Sequence, residues 1–266
     1  MRFASLGSGS EGNALLISGG AGAARTTVML DCGFGVRETE RRLARLGMLP
    51  GELNGIVVTH EHSDHVGGVF KFARRHRVPV WLSFGTWQAV QRDCHGVDIA
   101  LCRDGDRLAI GELELSPYTV PHDAREPIQY VISDGQVRLG VLTDAGQSTP
   151  HLVQSLGGCD ALVLECNHDR DMLAASSYPY ALKRRIGGAY GHLSNQTAGE
   201  ILSMLDRSRL QRIVGAHLSQ QNNTPELARQ ALVDALGGLG PEVMIACQAD
   251  GFGWLEIADR PQTPGA

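Results

Sequence analysis

Four side chains that can bind a metal ion fall within six residues of this chain, in the segment His60-Glu61-His62-Ser63-Asp64-His65. The segment directly follows an apolar, β-branched run, residues 56–59, which predicts a buried strand with these side chains at its end. Neutral imidazole and carboxylate suit zinc and similar divalent ions, and a carboxylate beside several histidines is more typical of a hydrolytic site than of a structural one. A histidine-rich surface loop is the alternative, and the position after a buried strand argues against it.

Three later segments have the same form, a predicted strand that ends in a possible ligand. The ligands are His122, Asp144 and His217. A single histidine after a strand is more often a turn residue, so His122 and His217 gain their weight from the first cluster. If each of these strands ends at the same edge of a sheet, seven side chains from separated segments lie on one rim. That arrangement would be large enough for two metal ions.

The elements that must position these residues are strands alternating with helices. Strands are predicted at 3–6, 14–18, 26–31, 56–59, 78–82, 108–120, 128–133, 137–143, 161–165, 210–216, 243–246 and 253–257. Helices are predicted at 36–46, 66–76, 86–94, 150–156, 196–205 and 224–236. Helices that cover the faces of sheets give an α/β fold. We expect one domain over residues 1–258 and a short tail over 259–266.

Composition excludes several classes of protein. The 266 residues carry 24 Lys and Arg against 29 Asp and Glu, a net charge of −5, so the chain as a whole does not attract nucleic acid, although local patches remain possible. No apolar run of about 18 residues is present, so no membrane span is expected. The N-terminus lacks the apolar core of a signal peptide. Six cysteines without a Cys-x-x-Cys pair favour a reducing cytoplasm over a disulfide framework.

The order of these ligands resembles that of the metallo-β-lactamase fold superfamily. The matching positions are His60-x-His62-x-Asp64-His65, then His122, Asp144 and His217. The resemblance implies an αββα sandwich, in which two mixed β-sheets lie between outer layers of helices. It also implies that Asp31, in Leu30-Asp31-Cys32-Gly33, orients the metal-binding loop without binding metal itself.

The same resemblance implies which ligands share a metal. One ion would be held by His60, His62 and His122, and the second by Asp64, His65 and His217, with Asp144 between them. Zinc fits this ligand set best, and manganese or iron could occupy it. The β-lactamases themselves usually have cysteine at the position of Asp144, so hydrolysis of antibiotics is not expected.

A narrower resemblance is to the WalJ/YycJ-type exonucleases of this fold. It is carried by Leu6-Gly7-Ser8-Gly9-Ser10-Glu11-Gly12-Asn13, Leu164-Glu165-Cys166-Asn167-His168-Asp169, Gly191-His192-Leu193-Ser194-Asn195 and His217-Leu218-Ser219-Gln220-Gln221-Asn222-Asn223. This group implies a 5′–3′ exonuclease that acts on double-stranded DNA in the cytoplasm. Two bound ions would share a hydroxide that attacks phosphorus in line.

His192 competes with His217 for the last ligand position. We assign the metal to His217, because it follows an apolar strand as His60 does. His192 then resembles the histidine of the nuclease branch that protonates the leaving oxygen, and Glu165 could orient it. Asp64 would orient the attacking water while it binds metal. The alternative for His192 is that it only fixes its loop.

Residues near the two C-terminal metal-binding loops could bind a phosphodiester. The candidates are Lys183, Arg184, Ser194, Asn195, Ser219 and Asn223. For the two cations, a solvated surface patch is an equal alternative.

Two other functions remain open: a thioesterase or phosphodiesterase like glyoxalase II with the same metal ligands, and an inactive metal-bearing regulatory protein. The complete ligand set argues against the second.

Overall fold

Apolar side chains alternate along the strands, so that each sheet buries both of its faces. In a computed structural model that describes residues 1–238 and 240–259, Leu15 and Ile17 point into one hydrophobic cluster and Leu16 into another. Val28 and Met29 divide in the same way between these two clusters. This alternation follows from the two-residue period of a strand. It requires an apolar layer on both sides of the sheet.

The first sheet contains, among the described residues, seven strands. They are β1 (Arg2–Gly7), β2 (Ala14–Gly19), β3 (Thr26–Leu30), β4 (Gly55–Val57), β5 (Val80–Leu82), β6 (Ile99–Leu101) and β14 (Phe252–Glu256). Their spatial order is β14-β1-β2-β3-β4-β5-β6. The pairings from β14 to β3 are antiparallel, and those from β3 to β6 are parallel.

The second sheet, within the described ranges, also contains seven strands. They are β7 (Leu108–Ile110), β8 (Leu113–Thr119), β9 (Ile128–Ser133), β10 (Arg138–Leu142), β11 (Ala161–Glu165), β12 (Arg212–Ala216) and β13 (Val243–Ile245). They lie in the order β13-β12-β11-β10-β9-β8-β7. From β7 to β10 the pairings are antiparallel, and from β10 to β13 they are parallel. Each sheet therefore has three antiparallel pairings followed by three parallel ones.

Helices cover the outer face of each sheet. The helices of the described residues are α1 (Val36–Arg45), α2 (Ser63–Val66), α3 (Val69–His76), α4 (Phe84–Val90), α5 (Pro150–Leu156), α6 (Arg170–Ala175), α7 (Tyr180–Ile186), α8 (Asn195–Met204) and α9 (Pro225–Leu236). The hydroxyl groups of Ser194 and Thr224 cap α8 and α9, because each accepts a hydrogen bond from the backbone N–H three residues later. Short 3₁₀ turns lie at Gly22–Ala24 and Pro50–Glu52.

Three hydrophobic clusters separate the four layers. The central cluster joins the facing sides of the two sheets, with Tyr130 of β9 and Phe3 of β1 fully buried in it. A second cluster lies between the first sheet and α1 and α3, and a third between the second sheet and α5, α8 and α9. The predicted αββα sandwich is confirmed. Because β14 pairs with β1, both ends of the described chain meet in one sheet; a single domain over 1–258 remains a prediction.

Several predicted elements were wrong in detail. The strand predicted at 108–120 is a hairpin, because Gly111 turns the chain with a φ of 54°. The helix predicted at 66–76 begins earlier and is interrupted at Gly67 and Gly68. Strand β6 and the helices α6 and α7 were not predicted. Residues 260–266 of the predicted tail lie outside the described residues.

No helix in the described part of the chain combines the length and apolar character that crossing a membrane requires.

Candidate metal centre

The metal-binding segment forms a tight loop between β4 and α2. His60 and His65 are fully buried, and His62 is the residue that precedes α2. The backbone oxygen of Asp64 lies so close to Gly33 that a Cβ at this glycine would overlap it. The backbone N–H of Cys32 donates to the oxygen of His65 at 2.8 Å. The segment after β3 therefore fixes the shape of the loop by close contact.

The first group of ligands is His60, His62 and His122. One nitrogen from each ring lies within 4.8 Å of the others. The ring of His122 donates from Nδ1 to the carbonyl of Gly191 at 2.9 Å, which leaves its Nε2 unprotonated. This Nε2 lies 3.2 Å from Nδ1 of His62. The three histidines that the sequence predicts for one ion therefore lie together, and the unprotonated Nε2 of His122 faces His62.

The second group is Asp64, His65 and His217. Oδ2 of Asp64 lies 3.4 Å from Nε2 of each histidine. Asp31 fixes the ring of His65, because its Oδ2 lies 2.8 Å from Nδ1. The carboxylate of Asp31 also accepts two hydrogen bonds of 2.8 Å, from the N–H and the hydroxyl of Thr59. Asp31 therefore occupies the orienting position that the sequence suggested, and it leaves Nε2 of His65 as the ligand atom.

Asp144 lies between the two groups. One of its oxygens is 3.0 Å from Nε2 of His65, and the other is 3.9 Å from Nε2 of His122. Two buried atoms here, Oδ2 of Asp144 and Nε2 of His60, have no hydrogen-bond partner among the described residues. Buried polar atoms rarely lack partners. Imidazole and carboxylate atoms that converge in this way fit divalent metal ions.

The backbone at this centre is held in an uncommon conformation. Asp31, Asp144 and His217 have φ values of 61°, 54° and 56°, and each follows the last residues of a strand. Non-glycine residues adopt this left-handed region infrequently, and such residues cluster at functional sites. The turn directs each side chain back across the carboxyl end of its strand. These turns therefore form the edge at which the sequence predicts the metal ligands to meet.

The charged groups of the centre shift one another's pKa values. Burial would raise the pKa of the Asp144 carboxyl, but His217 and His65 hold it well below its usual range. Burial also lowers the pKa of His217, but Asp144 and two further carboxylates outweigh it and raise that pKa to about 10. For His60, burial and the neighbouring His65 hold the pKa well below the ordinary value. The ionised carboxylates and the neutral His60 are in the state that binds metal, whereas a metal ion would have to displace the proton of His217.

His192 lies at the edge of this centre and is oriented by Glu165. Its Nδ1 is 2.8 Å from Oε1 of Glu165 and 3.4 Å from Oδ1 of Asp144. The carboxylate of Glu165 is fully buried and also accepts from the N–H groups of Ala145 and Leu193. His217, rather than His192, lies against Asp64. Both histidines also join Asp144 and Glu165 in a group that could hold an ion, so the assignment of His217 as ligand and His192 as proton donor stays a prediction.

A family model described as the β-lactamase superfamily domain matches residues 26–217. The chain belongs to this superfamily. It is 32% identical over 239 residues to the exodeoxyribonuclease YycJ of Bacillus anthracis, covering 89% of each chain. It is 30% identical over 240 residues to the exodeoxyribonuclease WalJ of Streptococcus pneumoniae D39, covering 88% of each. The structure of the metallo-β-lactamase fold protein YhfI from Bacillus subtilis superposes with a TM-score of 0.73 at 15% identity, over 96% of this chain and 98% of that one.

These comparisons confirm the family and the fold predicted from the sequence, and the likeness to YycJ and WalJ. The chain is accordingly an enzyme, a metallohydrolase of the metallo-β-lactamase fold. Its clustered His and Asp side chains provide the divalent metal site that this class of enzyme uses. The identity and number of the ions stay predictions.

The predicted substrate residues separate into two groups. Lys183, Arg184 and Ser194 line a cavity that also contains His192. Asn195 and Asn223 are buried instead and hydrogen-bond to each other at 2.8 and 2.9 Å. Their side-chain groups thus join the start of α8 to the loop before α9. A direct contact of these two with substrate remains a prediction.

Ser219 lies in a different place from the basic residues. It lines a second cavity, of about 340 Å³, together with Ser8 and Asn223. The hydroxyl of Ser8 accepts from the N–H of His217 at 2.9 Å, so this cavity borders the loop that carries a metal ligand. A direct contact of Ser219 with substrate likewise remains a prediction.

Several residues of the centre were not predicted from sequence. Nδ2 of Asn13 lies 3.3 Å from Oδ2 of Asp64 and 3.2 Å from Nε2 of His65, so the Gly/Ser loop contacts the ligands directly. Asp123 lies 3.5 Å from Nε2 of His122 and pairs with Arg185 at 2.6 Å. The position of Asp123 directly after a ligand was the available signal. For Asn13, which is distant in sequence, no local pattern indicates the contact.

Proposed function

We propose that this chain is a metal-dependent exonuclease that hydrolyses double-stranded DNA from the 5′ end in the cytoplasm. The observation that carries the proposal is the basic cavity that begins at His192, directly beside the His and Asp cluster. Cations and hydrogen-bond donors close to the reacting group are what a phosphodiester requires. The names of the two relatives, both exodeoxyribonucleases, support DNA as the substrate.

Two groups of residues would hold the ions. His60, His62 and His122 form one group, Asp64, His65 and His217 the other, and Asp144 lies between them. Bound divalent ions polarise the phosphoryl oxygens and lower the pKa of bound water. Zinc is the ion we expect, and manganese or iron fits the same ligands.

Asp64 is placed to orient the attacking water. Its side chain is about one-fifth exposed, whereas those of His65 and His217 beside it are almost fully buried. Asp64 can therefore accept a hydrogen bond from water at the surface of the centre while it binds metal. Burial would raise the pKa of its carboxyl, but hydrogen bonds from His217 and His65 lower it, so Asp64 is ionised.

His192 donates the proton that the leaving oxygen needs. Burial lowers the pKa of this imidazole, but the charge of Glu165 and its hydrogen bond outweigh burial and raise the pKa above its ordinary value. Because Nδ1 is held by Glu165, the proton on Nε2 is the one available for transfer. A positioned general acid of this kind typically contributes about 10²–10⁴-fold in rate.

Digestion of duplex DNA labelled at the 5′ or the 3′ end, with Mn, Mg or Zn supplied, tests this proposal. We expect release of the 5′ label first, inhibition by a chelator, and loss of activity and of one metal ion in the His60→Ala/His62→Ala variant. A transfer-RNA precursor and S-lactoylglutathione serve as comparison substrates. Faster turnover of S-lactoylglutathione than of DNA would make the enzyme a thioesterase. A metal-loaded protein inert towards all of these substrates would indicate a regulatory role.

A further inference from the structure

A cavity of about 530 Å³ adjoins His192, and helices α6 and α7 supply part of its wall. Three cations line it, Arg170, Lys183 and Arg184, and no acidic residue of the described chain does so. Gly146 also lines it and lies two residues after the ligand Asp144. A volume of this size is typical of sites for small molecules. It is far too small to enclose a duplex.

Within the described residues, the contacts of the three cations are with neutral groups. Arg170 donates to the hydroxyl groups of Ser194 and Thr197, at 3.1 and 3.0 Å, and these groups are neutral. The ammonium of Lys183 donates to the carbonyl of Ala174 at 2.6 Å.

Arg184 lies 5.8 Å from the ring centre of Tyr180, an exposed aromatic residue. Within residues 1–238 and 240–259, none of the three cations forms an ion pair with a carboxylate, whereas the neighbouring Arg185 pairs with Asp123. Their charge is therefore available for an anion.

A buried histidine gives independent evidence of a ligand. His168 lines the cavity, is 3% exposed, and its Nδ1 has no hydrogen-bond partner among the described residues. The backbone holds it firmly, because its carbonyl accepts from the N–H of Asn195 at 2.8 Å. Buried ring nitrogens rarely lack a partner, so His168 adds to the cavity wall a polar group that the described residues leave unsatisfied.

This inference rests on the proposed nuclease activity. Under that activity, the position of the cavity determines which part of the DNA is the leaving group. Nε2 of His192 forms no hydrogen bond with any described residue, and this histidine lines the cavity. Water adds to phosphorus, the bond from phosphorus to O3′ breaks, and O3′ takes the proton from Nε2. The leaving group is then on the cavity side, and the cavity has room for one nucleotide rather than for a duplex. A single leaving nucleotide with a free 5′ end corresponds to 5′–3′ digestion.

We propose that this cavity binds the terminal nucleotide of the DNA by its 5′-phosphate. Arg170, Lys183, Arg184 and His168 contact that phosphate, and the exposed ring of Tyr180 offers a surface on which the base can stack. The enzyme therefore prefers 5′-phosphorylated ends and releases 2′-deoxynucleoside 5′-monophosphates. Each cut leaves a new 5′-phosphate on the duplex, so the same site serves every following step.

The first test compares digestion of one duplex with a 5′-phosphate or a 5′-hydroxyl end by the metal-loaded enzyme. We expect the phosphorylated end to be cut at least about tenfold faster, which corresponds to about 1.4 kcal/mol. The Lys183→Gln/Arg184→Gln variant should bring the ratio of the two rates close to one. Lys71→Gln, which removes an exposed charge from α3 on the other sheet, should leave the ratio unchanged.

The second test measures binding of 2′-deoxyadenosine 5′-monophosphate and of deoxyadenosine to the chelator-treated full chain by calorimetry. We expect the monophosphate to bind at least about tenfold more tightly, and the Lys183→Gln/Arg184→Gln variant to lose this difference. Equal rates on both ends, equal binding of the two probes, or a preference that survives the double substitution would overturn the cavity assignment. An enzyme that binds the monophosphate but cleaves no DNA would instead overturn the proposed nuclease function.

Discussion

Asp31→Asn should weaken the second metal site while leaving the first almost intact. Asp31 has no exposed surface and accepts three hydrogen bonds, two from Thr59 and one from Nδ1 of His65, all of 2.8 Å. Asparagine has one accepting oxygen in place of two. If that oxygen keeps the bond from the N–H of Thr59, the new amide group faces Nδ1 of His65 as a donor.

Such a reversal of donor and acceptor changes the tautomer of His65. An Nδ1 that accepts a hydrogen bond places the proton on Nε2, the atom directed at Asp64 and Asp144. That proton must be removed before the ring can bind metal. Loss of an orienting partner of this kind typically lowers metal affinity by about 10–100-fold, or roughly 1.4–2.7 kcal/mol.

Competition with a metal chelator, followed by metal analysis, measures this effect directly. We expect one of two ions to be lost from Asp31→Asn at chelator concentrations that leave the wild type loaded. The control is Asp234→Asn, which makes the same exchange on the exposed face of α9, where the carboxylate accepts from Gln230. Wild-type affinity for both ions in Asp31→Asn would refute the role of Asp31.

Three further predictions concern catalysis, the loop and the metal. His192→Ala should retain both ions and lower turnover by about 10²–10⁴-fold, because it removes the general acid. Turnover is measured on labelled duplex DNA, with metal analysis in parallel. Loss of a metal ion at unchanged turnover per remaining site would instead make His192 the ligand and His217 its neighbour. Gly33→Ala should lower the melting temperature and metal content, because its Cβ overlaps the backbone of Asp64, whereas Gly35→Ala meets open space and should change neither. Saturating metal should raise the melting temperature of the protein after treatment with a chelator. At 100 times the Kd, one ion adds about 2.7 kcal/mol to the free energy of unfolding. An unchanged melting temperature would contradict metal binding by the folded centre.

The metal ligands could be predicted from sequence because each is encoded locally. His60, His122 and His217 each follow a predicted strand, and residues at the carboxyl ends of strands that run in the same direction meet at one edge of a sheet. The prediction required only the local pattern and the layer architecture. Contacts such as that of Asn13 with His65 depend on two segments separated by 52 positions, and no periodicity encodes them.

Helices α6 and α7 were missed for a physical reason. No residue of α7 is buried, so its sequence has no apolar stripe at helical spacing. In α6 only Leu173 is buried, and the helix starts at an aspartate cap, Asp169, whose carboxylate accepts from two backbone N–H groups. A side-chain cap starts α6, whereas α7 has no such cap, and neither helix is specified by a hydrophobic core. The region that sequence periodicity describes least is therefore the one that surrounds the proposed substrate.

The two sheets place aspartates at equivalent points, although their sequences show no repeat. β3 and β10 are each the strand at which antiparallel pairing gives way to parallel pairing, and Asp31 and Asp144 follow them with φ near 60°. Glycine would suit this backbone better, since it has no Cβ to resist a positive φ. Aspartate at both turns, and histidine at the similar turn after β12, is therefore explained by the site and not by the fold. One turn supplies the orienting carboxylate and the other the carboxylate between the metal groups, so the same geometry serves two different tasks.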